Sequence, residues 1–209
     1  ASDEYSSLIA NGYYGDADKK AHVDKITVDN ACTMIINDGT FTGGMNVVKN
    51  DNEGVLTIHD GEFSTTCNES VLLNANSLTI YGGTFDASEA RFAIRNQTGS
   101  LEIAKGDFKG EIYAPSQDVE ITGGTFDRTF VSSYLAENAS FYVKQDGALV
   151  VASEKPADAE LIVAGLGAGN AAFTTLQAAI DAYEEGIADG TFNENYSISL
   201  YSDVTESVT

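Results

Sequence analysis

Residues 78–85 read LTIYGGTF, and four further stretches repeat that string without a gap: MIINDGTF at 34–41, LTIHDGEF at 56–63, LEIAKGDF at 101–108 and VEITGGTF at 119–126. Met34, Leu56, Leu78, Leu101 and Val119 form one apolar column, and Ile36, Ile58, Ile80, Ile103 and Ile121 a second. Gly39, Gly61, Gly83, Gly106 and Gly124 follow, then Phe41, Phe63, Phe85, Phe108 and Phe126. The phenylalanines lie 22, 22, 23 and 18 residues apart. Between the apolar columns stand Ile35, Thr57, Thr79, Glu102 and Glu120, polar in four copies of five. Apolar, polar, apolar is the period of a strand with one buried face. The constant glycine reads as a corner, where the backbone takes a positive φ or approaches another segment closely. The phenylalanine then returns to the core.

A second strand is expected in each turn. VVKN at 47–50, VLLN at 71–74 and AIRN at 93–96 align, with TVDN at 27–30 as a copy ahead of them. They give a column Asn30, Asn50, Asn74, Asn96 that breaks at Ala114. Identical residues recurring once per turn are the mark of parallel strands stacked about 4.8 Å apart. Stacked amides bond along such a column, and stacked rings fill the interior. The fold expected is therefore all-β: a single-stranded parallel β-helix with turns of about 22 residues, right-handed as parallel crossovers nearly always are. A pair of helices per repeat would need 3.6-residue periodicity and about 34 residues.

Beyond Phe126 the columns end. Residues 23–130 are assigned to the β-helix and 131–152 to a cap, since a solenoid end exposes unpaired backbone. Residues 153–160 (SEKPADAE) read as a linker. Residues 161–209 read as a short α/β segment opening a further unit. In it Thr174-Thr175-Leu176-Gln177 has capping-box spacing, Leu176, Ile180 and Tyr183 mark a helix face, and Gly186 is the expected stop. Residues 6–14 (SSLIANGYY) loosely resemble 132–142, so 1–22 reads as the tail of a preceding unit.

Composition narrows the partners. With 32 acidic against 11 basic residues the net charge is −21, which opposes binding to nucleic acid or anionic membranes. No run of about 18 apolar residues is present, so no membrane insertion is expected. Cys32 and Cys67 fall at different corners of the coil and are expected as separate thiols.

The turns LTIYGGTF and VEITGGTF, the closing VSSYLAEN and DGALVV, and the opening FTTLQAAIDA and ISLYSDVTE resemble large repetitive surface proteins of Gram-positive gut bacteria. The resemblance covers roughly residues 23–209. It implies GGTF-type β-helices strung along an exported, cell-wall-anchored chain, with an adhesin-like role and no active-site motif to carry over. On that basis the chain is expected to be a non-catalytic structural or adhesive module at the cell surface. It would serve as stalk or ligand-display segment, its anchor lying outside this sequence. Its partners would be a host or bacterial surface glycan or protein, and adjacent units of the same long chain. The two cysteines and the lack of a visible anchor depart from the family.

The alternative is a carbohydrate-active β-helix, either a polysaccharide lyase or glycoside hydrolase, or a carbohydrate-binding module. A glycosidase needs two carboxylates about 5 Å apart or somewhat more. Asp38 and Asp60 occupy one corner column in consecutive turns, but the next copies are Gly82, Lys105 and Gly123. His59 and Tyr81 share an outward column with Asn37, Ala104 and Thr122, where an aromatic ring offers a possible glycan contact. Arg91 and Arg95 are expected to pair with carboxylates. No cofactor is expected. Asp51 and Glu53 are the weak calcium alternative, against an ordinary solvated turn. Asn-x-Ser/Thr strings at Asn68, Asn96, Asn138 and Asn195 are accidents of a polar chain, and the outward column Thr40, Glu62, Thr84, Asp107, Thr125 is too mixed for an ice-binding face.

Overall fold

A computed structural model describes residues 6–12, 32–115, 118–129, 132–166, 171–192, 196–205 and 207–208. It forms two compact units, Ala1–Glu120 and Ile121–Thr209.

The first unit is a parallel β-solenoid. After β1 (Ile9–Asn11), its turns are β2 (Cys32–Ile36), β3 (Thr40–Thr42), β4 (Asn46–Asn50); β5 (Gly54–Ile58), β6 (Glu62–Ser64), β7 (Ser70–Asn74); β8 (Ser77–Ile80), β9 (Thr84–Asp86), β10 (Phe92–Asn96); and β11 (Ser100–Ile103), β12 (Asp107–Lys109), β13 (Glu111–Tyr113). The strands sort into three parallel sheets, ordered β1-β4-β7-β10-β13, β2-β5-β8-β11 and β3-β6-β9-β12. Registers follow the columns read from sequence: Leu56 pairs with Leu78, Ile58 with Ile80, Phe63 with Phe85 and Asn50 with Asn74.

Each turn holds three strands, one more than the repeat suggested. The extra sheet is built from three-residue strands centred on the phenylalanines, too short to show an alternation of their own. Phe41, Phe63, Phe85 and Phe108 stack with centroids 5.0, 5.0 and 4.8 Å apart and planes within 14°. Ile58, Ile80 and Ile103 are buried beside Leu56, Leu78 and Leu101. Burying each such side chain contributes about 1.5–3 kcal/mol. The first turn is less covered, with Met34 and Phe41 half-buried. Ile36 is buried there, and so are Ile121 and Phe126 of the second unit.

The glycine corners are geometric. Gly61 and Gly83 have φ of 130° and 105°. A Cβ on Gly83 would stand 2.9 Å from the Gly61 carbonyl oxygen, and one on Gly61 2.9 Å from that of Gly39. Those carbonyls accept from Thr84 and Glu62 in the next turn, so neither is free to move aside.

Among the described residues the asparagine column is buried and continuous, and its first member is Asn11. Asn11 Nδ2 donates to Asn50 Oδ1 at 2.9 Å, Asn50 Nδ2 to Asn74 Oδ1 at 2.7 Å, and Asn74 Nδ2 to Asn96 Oδ1 at 2.6 Å. The second proton of each amide goes to a backbone carbonyl across the corner, such as Ser77 for Asn50 and Ser100 for Asn74. Asn30 lies outside the described residues, and the place beside Asn50 belongs to β1. Residues expected as the tail of a preceding unit therefore supply a strand of the coil.

β14 (Val119–Ile121) runs across the boundary between the units. The second unit contains β15 (Gly124–Phe126), a 3-10 turn (Ser132–Tyr134), β16 (Ser140–Lys144), β17 (Leu149–Ala152), β18 (Ala159–Leu161), β19 (Ala164–Leu166), β20 (Ala171–Phe173), α1 (Leu176–Ala188) and β21 (Ile198–Leu200). Here pairing turns antiparallel, in the order β18-β16-β17-β15. Ala159 and Glu160, expected within a linker, are strand residues, because β18 fills the free edge of β16. The chain passes directly into β19, the centre of a β20-β19-β21 sheet beside α1. Tyr201 joins this sheet to the β15–β17 region of the same unit: its hydroxyl donates to Thr129 Oγ1 at 3.0 Å and its ring meets Phe141 edge-on. The described residues of 161–209 fall within this second unit.

The helix differs from expectation at both ends. Thr175, not Thr174, is the N-cap, and its hydroxyl accepts from Ala178 N–H at 3.2 Å. Position N3 is therefore Ala178 and no capping box forms; Gln177 donates instead to Asp181. Gly186 lies inside the helix, buried under Phe192, and the stop is Asp189 with Gly190 at φ 79°.

Candidate functional site

Function on a solenoid must be sought on its outer faces, since the interior is filled. Asp38 and Asp60 do share a corner column, and both are exposed. Each is turned to its own backbone: Asp38 Oδ1 accepts from Gly39 N–H at 2.7 Å and Asp60 Oδ1 from Gly61 N–H at 2.8 Å. The two carboxylates therefore do one job twice, steadying the glycine corner. An acid–base pair needs unlike environments to set its two protonation states apart.

Asp51 is held by Lys49, whose Nζ stands 3.0 Å from its Oδ2. The residues around it form a tight turn, closed by Gly54 N–H donating to the Asp51 carbonyl, with Glu53 at φ 61°. Among the described residues no group of three or more His, Cys, Asp or Glu side chains is placed to hold a metal ion. Arg95 pairs with Glu69 at 3.3 Å, and the Arg91 guanidinium lies over the Phe92 ring, 4.8 Å from its centroid. Cys32 and Cys67 are free thiols. Asn96 is fully buried, which leaves no room for a glycan. Among the described residues no helix is long and apolar enough to cross a membrane.

The outward column on the β5–β8–β11 face is better developed. His59 and Tyr81 stack with centroids 5.3 Å apart and planes at 12°. His59 is exposed, and Tyr81 retains 50% of its surface. Ile35, 56% exposed, lies on the same face.

Several features escaped sequence reading. Phe92 and Tyr113 stack at 5.3 Å, although they align poorly as strings. Asn46 and Ser70 make a second buried polar step, Ser70 Oγ donating to Asn46 Oδ1 at 2.6 Å. Asp86 receives bonds from the Ser88 hydroxyl and backbone and from Lys109 Nζ. The Ser88 hydroxyl first, then Lys109, lower its pKa to about 2. Only the spacing Asp86-x-Ser88, typical of a side chain closing its own turn, hinted at this. None of these places converging unlike groups around a cleft. No protein-family model, no curated protein and no solved structure matches this chain.

Proposed function

We propose that this chain is a non-catalytic structural module of an exported bacterial surface protein, acting as a stalk or ligand-display segment. One observation carries the reading: every described residue that the repeat holds constant is occupied in building the coil. The isoleucines and phenylalanines fill the core, the glycines make the corners and the asparagines bond along the axis. The aspartates that would have formed a catalytic pair are spent on corner backbone. A site that evolved for chemistry would interrupt such columns, because unlike groups must meet at one substrate atom. The resemblance of the GGTF turns to surface proteins of Gram-positive gut bacteria supports the extracellular, adhesin-like setting, and the net charge of −21 suits crowded, soluble stalks.

The test is incubation of the purified chain with pectin, alginate, mucin glycans and glycosaminoglycans, followed by assay of new reducing ends and unsaturated uronates. No product is expected. Turnover that disappears in Asp60→Asn would overturn the reading.

A further inference from the structure

The His59–Tyr81 stack is unfinished. Backbone bonds of 2.8 Å from His59 N–H to Ile36 O, from Tyr81 N–H to Ile58 O and from Ala104 N–H to Ile80 O hold one outward residue per turn in a single column. His59 covers one face of the Tyr81 ring. The opposite face looks toward the next turn, where the column carries only the exposed methyl group of Ala104. Turns repeat at about 4.8 Å, close to the thickness of one stacked ring. The coil therefore leaves a slot one ring high at the level of Ala104, roofed by Tyr81 and backed by the Ala104 methyl group. Glu102 and Lys105, both exposed in that turn, supply an acceptor and a donor beside it, and Thr79 lies alongside Tyr81.

We propose that this slot binds a neutral β-linked hexopyranose, a glucosyl or galactosyl residue of a surface glycan. A β-glucopyranose carries axial C–H groups on both faces, and a β-galactopyranose on one. Such a face is apolar and presents slightly positive C–H hydrogens. It matches the negative face of the Tyr81 ring. Its equatorial hydroxyls point outward, toward Glu102 and Lys105. Charge decides against acidic sugars: Asp60, Glu62, Glu102 and Asp107 lie on the neighbouring turns of a chain with net charge −21. The site adds a ligand to the display reading without depending on it, since a failure to bind leaves the stalk intact and only turnover removes it.

The experiment is titration of the 209-residue chain with cellotetraose and with galactotetraose, followed by amide chemical shifts. With at least one of them, shifts are expected at Tyr81, Glu102, Ala104 and Lys105. Tyr81→Ala, which removes the roof, and Ala104→Tyr, which fills the slot with a third ring, should each weaken binding at least about tenfold. Tyr113→Ala, on another sheet, should leave it unchanged. The absence of shifts with both sugars, shifts mapping elsewhere, binding that survives both slot variants, or tighter binding of tetragalacturonate would each overturn the proposal.

Discussion

Asn74 shows what one buried side chain does in this coil. Its Oδ1 accepts from Asn50 Nδ2, and its Nδ2 protons go to Asn96 Oδ1 and the Ser100 carbonyl. Asn74→Leu keeps the volume but strands those partners in an interior that water does not reach, at about 1–3 kcal/mol. Denaturant unfolding should show that loss as a lower midpoint; an unchanged midpoint would mean that the ladder holds nothing. The column was legible because Asn50, Asn74 and Asn96 end strands of the same register. Asn11 escaped notice beside Asn50 because IAN at 9–11 matches those strings less well than TVDN at 27–30. Strand pairing, not local likeness, put Asn11 there. Asp86 gives a second test. Its pKa is about 2 against an ordinary 3.8, so its bonds stabilise the fold above about pH 4 and are lost as pH falls through about 2. The Asp86 carboxyl is partly exposed, and solvent screening keeps the contribution to under about 1 kcal/mol. Asp86→Asn should therefore lower the midpoint slightly at neutral pH, by a difference that shrinks as the pH falls from about 4 to about 2.

At the scale of elements, the phenylalanine sheet makes the clearest demand. Phe85 is fully buried and stacked on both sides, by Phe63 and Phe108. Phe85→Ala would leave a cavity bounded by rings that strand pairing holds in place, and should cost about 3–5 kcal/mol. Phe41→Ala, at a half-buried position with one described stacking partner, should cost clearly less. Equal losses would show that the stack does not act as a column. The β5–β8–β11 strands were legible because they are long enough to alternate, whereas the phenylalanine strands, at three residues, hide their period. The helix taught the converse. Gly186 looks like a stop, since glycine favours helix ends. Packing overrides that preference, because the ring of Phe192 lies against Gly186. Gly186→Ala should thus destabilise the second unit, although alanine is the better helix former by about 1 kcal/mol.

Across the whole molecule, charge is left far from balance. Eleven basic residues against 32 acidic ones can neutralise only 11 of the carboxylates, whatever their geometry. The pairs that form, such as Lys109–Asp86 and Lys155–Glu160, are exposed, and each is worth about 0–1 kcal/mol. Salt acts on both sides of this balance. It weakens those few attractions, and it screens repulsion among the many carboxylates left over. Raising NaCl from about 0.01 M to about 1 M shortens the Debye length from about 30 Å to about 3 Å. Repulsions outnumber attractions, so the melting temperature should rise with salt; a fall would show that the ion pairs outweigh the excess charge. Calcium chloride at matched ionic strength separates screening from binding. A specific site stabilises in proportion to the logarithm of free metal over its dissociation constant. Asp51 already has Lys49 as its counter-ion, and that cation would have to be displaced before calcium could enter beside Glu53. Calcium is therefore expected to raise the melting temperature no further than sodium does. An added rise that Asp51→Asn abolishes would establish a calcium site at that turn.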